Sequence, residues 1–268
     1  MREQRRVTAS AKMNPLKRAG LLLASLLVIL LFWYGLANFL GLPAFILPGP
    51  IRVWRRFLQS LAEGQIVVHF LATLLEVLAG LFLGGVTATI LGYLLAKSPQ
   101  TEKIIGPYLA ASQSIPIVAI APLLVIWFGP GIFSKILICS LTVFFPILIN
   151  TVVGIREVPQ DLRELMRALG ATKGQTLWKL EVPSAMPIFL GGLRVGATLS
   201  VIGAVVGELV GADRGLGFLI NVGRGQYDTA LVFVAVITLV LMAMSLYGVV
   251  LFFENRFLSW QKWRQESA

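Results

Sequence analysis

Among the polar or ionisable side chains that interrupt long apolar stretches are His69, Glu76, Gln113, Asn150, Arg194 and Glu208. Such groups are expensive away from water, so each must pair, face a wet cavity or bind something. Glu76 and Glu208 lie deepest and are expected to face water or to meet a cation or hydrogen-bond donor, which makes them candidates for a solute path. Arg194 stands near the start of its apolar block and can snorkel. His69 also stands near a block end, where solvation is cheap. Ser112, Gln113 and Ser114 precede Pro116, a residue that removes the helical donor for the Ser112 carbonyl. This polar trio can repair the break locally or point at a translocated solute.

Several chemistries have no residues to run on. No Gly-x4-Gly-Lys-Ser/Thr run is present, so the chain has no phosphate cradle of that kind. His-Glu-x-x-His and Gly-x-Ser-x-Gly runs are missing too, and one histidine leaves few acid-base candidates for an intramembrane hydrolase. The single cysteine, Cys139, permits neither an intrachain disulfide nor a cysteine-based metal cluster.

The surroundings of these residues set the class of protein. Apolar residues make up 57% of the chain and charged residues only 13%, with a mean hydropathy of +0.82. That composition belongs to an all-α membrane protein. Six blocks are long enough to cross a bilayer, which takes about 20 helical residues. They are Ala19 to Leu40, Ile66 to Ala96, Ile104 to Phe128, Ile132 to Val153, Ile188 to Ala212 and Ala230 to Phe253. The first is longer than the apolar core of a signal peptide and lacks a clear cleavage site, so it is expected to stay as an anchor.

The formal charge of +10 does not indicate nucleic acid, because the basic residues flank apolar blocks and form no solvated domain. They report topology instead. Most of the 23 Lys and Arg fall in the first tail, around Lys97 and Lys103, between Arg156 and Lys179, and in the last tail. The positive-inside bias therefore predicts both termini in the cytoplasm. Arg52, Arg55 and Arg56 run against the bias, in an external segment whose Leu47-Pro-Gly-Pro50 turn precedes an expected short helix from Ile51 to Leu61.

The longest polar segment, about residues 155–183, reads as two short helices. Leu162, Leu165, Met166 and Leu169 make an apolar stripe at helical spacing, with Arg163, Glu164 and Arg167 around it. Gly170 suits a left-handed helix end. Thr172 and Gln175 can form a capping box for a second helix that ends before Pro183. A DNA-binding helix-turn-helix cannot free its recognition helix from between two spans. A pair of helices lying on lipid headgroups is the plainer alternative.

From Glu164 the sequence runs Glu-Leu-Met-x3-Gly170, then nine residues, then Leu180-Glu-Val-Pro183. This resembles the EAA loop of permease subunits of type I ABC importers, with Leu165, Met166 and Val182 as conservative departures. The resemblance extends through Ser114-Ile-Pro-Ile-Val-Ala-Ile-Ala-Pro122, Trp127-Phe-Gly129 and Gly191-Gly-Leu-Arg194, over roughly Ile66 to Trp260. It points to the nitrate, sulfonate, taurine and riboflavin or pyrimidine-precursor branch.

The resemblance implies a six-span type I permease fold. Residues 1–18 would be a cytoplasmic tail, 19–65 a peripheral span and external loop, 66–253 the permease core, and 254–268 a second cytoplasmic tail. It implies a coupling helix carrying Arg163, Glu164, Arg167, Gly170 and Pro183, with its apolar face toward the membrane domain. Two ATPase subunits would bind the ATP and Mg. The other implied partners are a second permease copy or paralogue and an extracytoplasmic solute-binding protein, in a cell (inner) membrane. Glu76 stands where many sulfonate-type relatives look more basic, which favours a neutral heterocycle such as riboflavin or a thiamine pyrimidine precursor over a sulfonate, taurine or nitrate. An ion-coupled secondary transporter with proton sites at Glu76 and Glu208 is the rival reading. Small residues spaced by four, Gly80, Gly84, Ala88 and Gly92 in one span and Gly192, Gly196, Gly203, Gly207 and Gly211 in another, predict packing seams within or between protomers.

Overall fold

The computed structural model describes residues 15–39 and 43–258, and every regular element among them is helical. In chain order these are α1 (Pro15–Phe39), α2 (Pro50–Ala62), α3 (Gln65–Lys97), α4 (Pro99–Gln113), α5 (Ile117–Phe128) and α6 (Ile132–Arg156). They continue with α7 (Gln160–Ala168), α8 (Lys173–Thr176), a π-helical turn (Leu177–Glu181), α9 (Val182–Gly211), α10 (Leu216–Gly225) and α11 (Thr229–Phe257). The two expected tails lie largely outside the described residues.

Four helices are long and apolar enough to cross a bilayer: α3, α6, α11 and the continuous stretch Lys173–Gly211. The count reaches five if α4 and α5, bent by 93° at Ser114 to Pro116, make one broken span. A sixth span would have to come from α1, whose apolar part, Leu23–Phe39, is shorter than the others. Leu40, the expected last residue of that span, lies outside the described residues.

The expected start of the fifth span at Ile188 is corrected. The helix runs through Pro183 and Pro187 without a break, and Pro183 sits in the first turn of α9 instead of after a stop. A proline there would strip the Lys179 carbonyl of its ordinary helical donor. The preceding π-helical turn shifts the register first, with the Val182 amide donating to the Leu177 carbonyl five residues back. The loop between α6 and α9 is thus welded to its span.

The α6 helix is the axis of the bundle, packed between α3 and α9. Both neighbours present glycine to it. A Cβ at Gly80 would lie 2.2 Å from Cys139 Cβ, and one at Gly84 would lie 2.4 Å from the Ser140 carbonyl oxygen. On the other side, a Cβ at Gly192 would lie 2.5 Å from Asn150 Cβ and one at Gly203 2.9 Å from Cys139 Cα. Both ladders are therefore seams inside the protomer. Apolar side chains gain little by leaving lipid for protein, so close backbone approach and dispersion hold the helices together. Ile138, Cys139, Val143 and Ile147 are fully buried between the two seams.

Gly84→Ala should destabilise the bundle by about 1–3 kcal/mol through overpacking, read as a lower melting temperature in detergent. Gly85→Ala, whose Cβ would meet Ile147 Cδ1 at an ordinary 3.6 Å, should melt like the parent.

Candidate functional site

The loop between α6 and α9 builds one site. Pro159 opens α7, Asp161 in its first turn and Arg167 in its last both suit the helix dipole, and the helix ends at Gly170 with φ of +71°. The Gly170 amide donates to the Arg167 carbonyl (2.9 Å) and the Ala171 amide to the Met166 carbonyl (3.0 Å), which makes a Schellman end. Thr172 and Gln175 form the expected reciprocal capping box. The result is a short, stiff elbow.

Its orientation corrects one expectation. The apolar stripe does not pack on the membrane domain: Leu162 and Leu165 are exposed, Leu169 is 72% exposed, and no α7 residue is buried. The side chain that reaches back is Arg163, which donates to the Ile155 carbonyl and lies 3.9 Å from a Glu181 carboxylate oxygen. Glu181 is 1% exposed and also bonds Lys97 at the end of α3. Glu164 and Arg167 point outward without an ion pair among the described residues. Beside the π-helical turn, an apolar cavity of about 450 Å³ is lined by Tyr93, Leu94, Ile155, Trp178, Met186 and Phe189.

A second constellation lies inside the bundle. Glu208 on α9 accepts from Thr73 Oγ1 (2.6 Å) on α3 and from the Gly217 amide (2.5 Å) that opens α10. Thr73 Oγ1 also accepts from the Leu216 amide (2.8 Å), and His69 Nδ1 accepts from the Gly215 amide (3.0 Å). Gly215 has φ of +113°, and a Cβ there would fall 2.1 Å from Glu208 Oε1. Lys135 on α6 places its ammonium 3.7 Å from Glu76 Oε1, while Glu76 Oε2 has no hydrogen-bond partner among the described residues. Glu76, Lys135 and Glu208 are all buried.

Spacing along the sequence singled out the two carboxylates but not their partners. Lys135 stands in the first turn of α6, yet it is buried and not solvated. His69 is buried as well, not solvated at a span end. Thr73 carried a signal, since it lies one turn from both His69 and Glu76 on α3. Arg194, expected to snorkel, reaches Glu254 at 3.3 Å and lies over the Tyr247 ring. Ser112 and Gln113 end α4, and Ser114 begins the 93° break. Ser112 Oγ donates to the Leu109 carbonyl and Ser114 Oγ to the Ala111 carbonyl, while the Ile115 amide reaches the Ser112 carbonyl at 3.3 Å. Gln113 and Ser114 are exposed. Among the described residues, no group of three His, Cys, Asp or Glu is placed to hold a metal ion.

A polytopic helical bundle with buried ion pairs and a capped elbow outside the spans is a membrane transport subunit in its architecture. Residues 80–259 match the family model described as binding-protein-dependent transport system inner membrane component. The chain belongs to that family, the permease subunits of ABC importers, and is a transport subunit rather than an enzyme. It is 46% identical to the riboflavin transport system permease protein RibX of Chloroflexus aurantiacus, over 88% of each chain. It is 38% identical to the formylaminopyrimidine transport permease protein ThiX of Halalkalibacterium halodurans, over 88% of this chain and 94% of that one. The fold is that of a chain in an inward-facing structure of the MetNI methionine ABC transporter, with a TM-score of 0.62 at 20% identity, covering 70% of this chain and 94% of that one.

Removing Lys135 would strand the buried Glu76 carboxylate. Lys135→Met should cost about 3–5 kcal/mol of stability, as breaking a buried ion pair does. The double variant Lys135→Met with Glu76→Gln should recover part of the loss in a detergent melting assay, because the stranded charge is gone.

Proposed function

We propose that this chain and a second permease, a copy or a paralogue, form the pore of an ATP-driven importer for a neutral aromatic heterocycle. In this reading the α7 elbow is the coupling element on which two ATPase subunits act, and those subunits bind the ATP and Mg. The uncovered apolar stripe of α7 carries the reading: Leu162, Leu165 and Leu169 stand exposed on a rod that Arg163 and Glu181 anchor to the spans. Stiff capping and a buried anchor suit a part that receives force. An elbow that merely floated on headgroups would need neither.

Both termini are then cytoplasmic, the membrane is the cell (inner) membrane, and an extracytoplasmic binding protein delivers the solute. ATP-driven closure of the ATPase pair moves the elbows, and rigid displacement of the helices exposes the path alternately to the two sides. Ser112, Gln113 and Ser114 line that path at the break between α4 and α5. Glu76 and Glu208 serve it from behind, by holding α3, α6 and α9 in register. The heterocycle assignment rests on the two relatives named above, whose names specify riboflavin and formylaminopyrimidine.

Gly170→Val should insert normally yet lose uptake into proteoliposomes that contain the ATPase partner. The strain of forcing a β-branched residue to positive φ is on the order of 1–2 kcal/mol, enough to misdirect α8 and too little to unfold the bundle. Gly170→Asn should transport better than the valine variant, since asparagine tolerates that conformation. Wild-type uptake by Gly170→Val at equal protein level would remove the coupling role.

Calorimetry on the cognate binding protein tests the solute separately. Riboflavin or an aminopyrimidine should bind. Tight binding of taurine, an alkanesulfonate or nitrate, with no response to the heterocycles, would transfer the chain to the sulfonate side of its family.

A further inference from the structure

The three arginines of α2 oppose the charge bias of the rest of the chain, and only one of them is used internally. Arg56 donates from Nε to Asp228 (2.7 Å) at the start of α11 and from Nη1 to Ser60 (3.1 Å). Arg52 and Arg55 are exposed, lie one helical turn apart, and make no ion pair or hydrogen bond with any described residue. The carboxylate that shares a pocket with them, Asp228, is taken by Arg56, so the two exposed guanidinium groups are left to attract an anion from outside the chain.

The shape of the molecule beside them narrows what that anion is. Arg52 and Arg55 border a pocket of about 470 Å³ with Tyr34 and Asn38 of α1. Pro50 and Ile51 also line a second space of about 470 Å³, between α1, α2 and α11, so the two adjoin. The walls of the second space are apolar, formed by Leu30, Trp33, Trp54, Phe57, Ile237 and Leu241. A free inorganic anion has no use for such a groove. An acidic protein surface would meet the arginines but leave the groove empty.

We infer that these two adjoining spaces are a binding site for one anionic phospholipid, its phosphodiester on Arg52 and Arg55 and an acyl chain in the groove. The guanidinium fork matches phosphate oxygens in a bidentate fashion. A zwitterionic headgroup also carries a phosphate, but its ammonium is repelled by the second arginine, so the site selects net negative charge. The lipid would fill the gap between α1 and α11 and fasten α1 to the bundle. Trp54, exposed on the same helix, fits an interfacial depth.

Native mass spectrometry of the full-length chain in detergent, with added phosphatidylglycerol or phosphatidylcholine of matched acyl chains, tests this directly. The parent protein should retain phosphatidylglycerol about tenfold more than phosphatidylcholine. Arg52→Gln with Arg55→Gln should drop phosphatidylglycerol to the phosphatidylcholine level, and Ile237→Trp, which fills the groove, should lower retention of both. Equal retention of the two lipids by the parent, or selectivity that survives loss of both arginines, would overturn the site. So would displacement of phosphatidylglycerol by equimolar glycerophosphoglycerol, which has the same phosphodiester without the chains. If the double variant fails to fold, the parent's lipid ratio and the glycerophosphoglycerol competition decide the matter alone.

Discussion

Everything in this bundle depends on how closely α3 and α9 approach α6. Inside lipid, burying a leucine against protein gains little over leaving it among acyl chains, so the stabilisation must come from dense contact and satisfied polar groups. Glycine at Gly80, Gly84, Gly192 and Gly203 brings backbone to within side-chain distance of Cys139, Ser140 and Asn150. That proximity then allows short polar side chains to reach across. Thr73 on α3 meets Glu208 on α9 because nothing bulky separates the helices.

Two charge clusters built on buried carboxylates divide the labour along α3. Near its start, Thr73 and Glu76 join Lys135 and Glu208, and they also fix the first turn of α10 through its amides. At its end, Lys97 meets Glu181, which is shared with Arg163 of the elbow. Both clusters tie α3 to the helical stretch that runs from the elbow through α9. Charges buried this deeply cost several kcal/mol each unless paired, and such pairing holds only in one arrangement of the helices. The ties therefore specify register more than they add stability.

Much of this was legible in the sequence where the signal is local. The Gly170 end, the Thr172 capping box and the short α2 helix all follow from residues within a few positions of one another. The span cores followed from hydropathy, and the small-residue ladders announced seams. What escaped lay in long-range pairing. Nothing near Glu181 says that Lys97 and Arg163 will converge on it, and nothing near Lys135 marks it as the partner of Glu76. The continuity through Pro183 escaped as well, because proline normally reads as a stop and a π-helical turn has no residue-type signature. The stripe on α7 was read correctly as a stripe and wrongly as inward-facing, since amphipathicity gives the face and not what covers it.

The π-helical turn has a mechanical consequence. It carries the chain through Pro183 without a break in the helix, so Lys173–Gly211 is one continuous helical stretch of 39 residues, about 58 Å of helix at the usual rise. Its far end holds the Gly217 amide of α10 through Glu208, so in the proposed coupling role a displacement of the elbow has an unbroken helical path to the opposite side of the bundle.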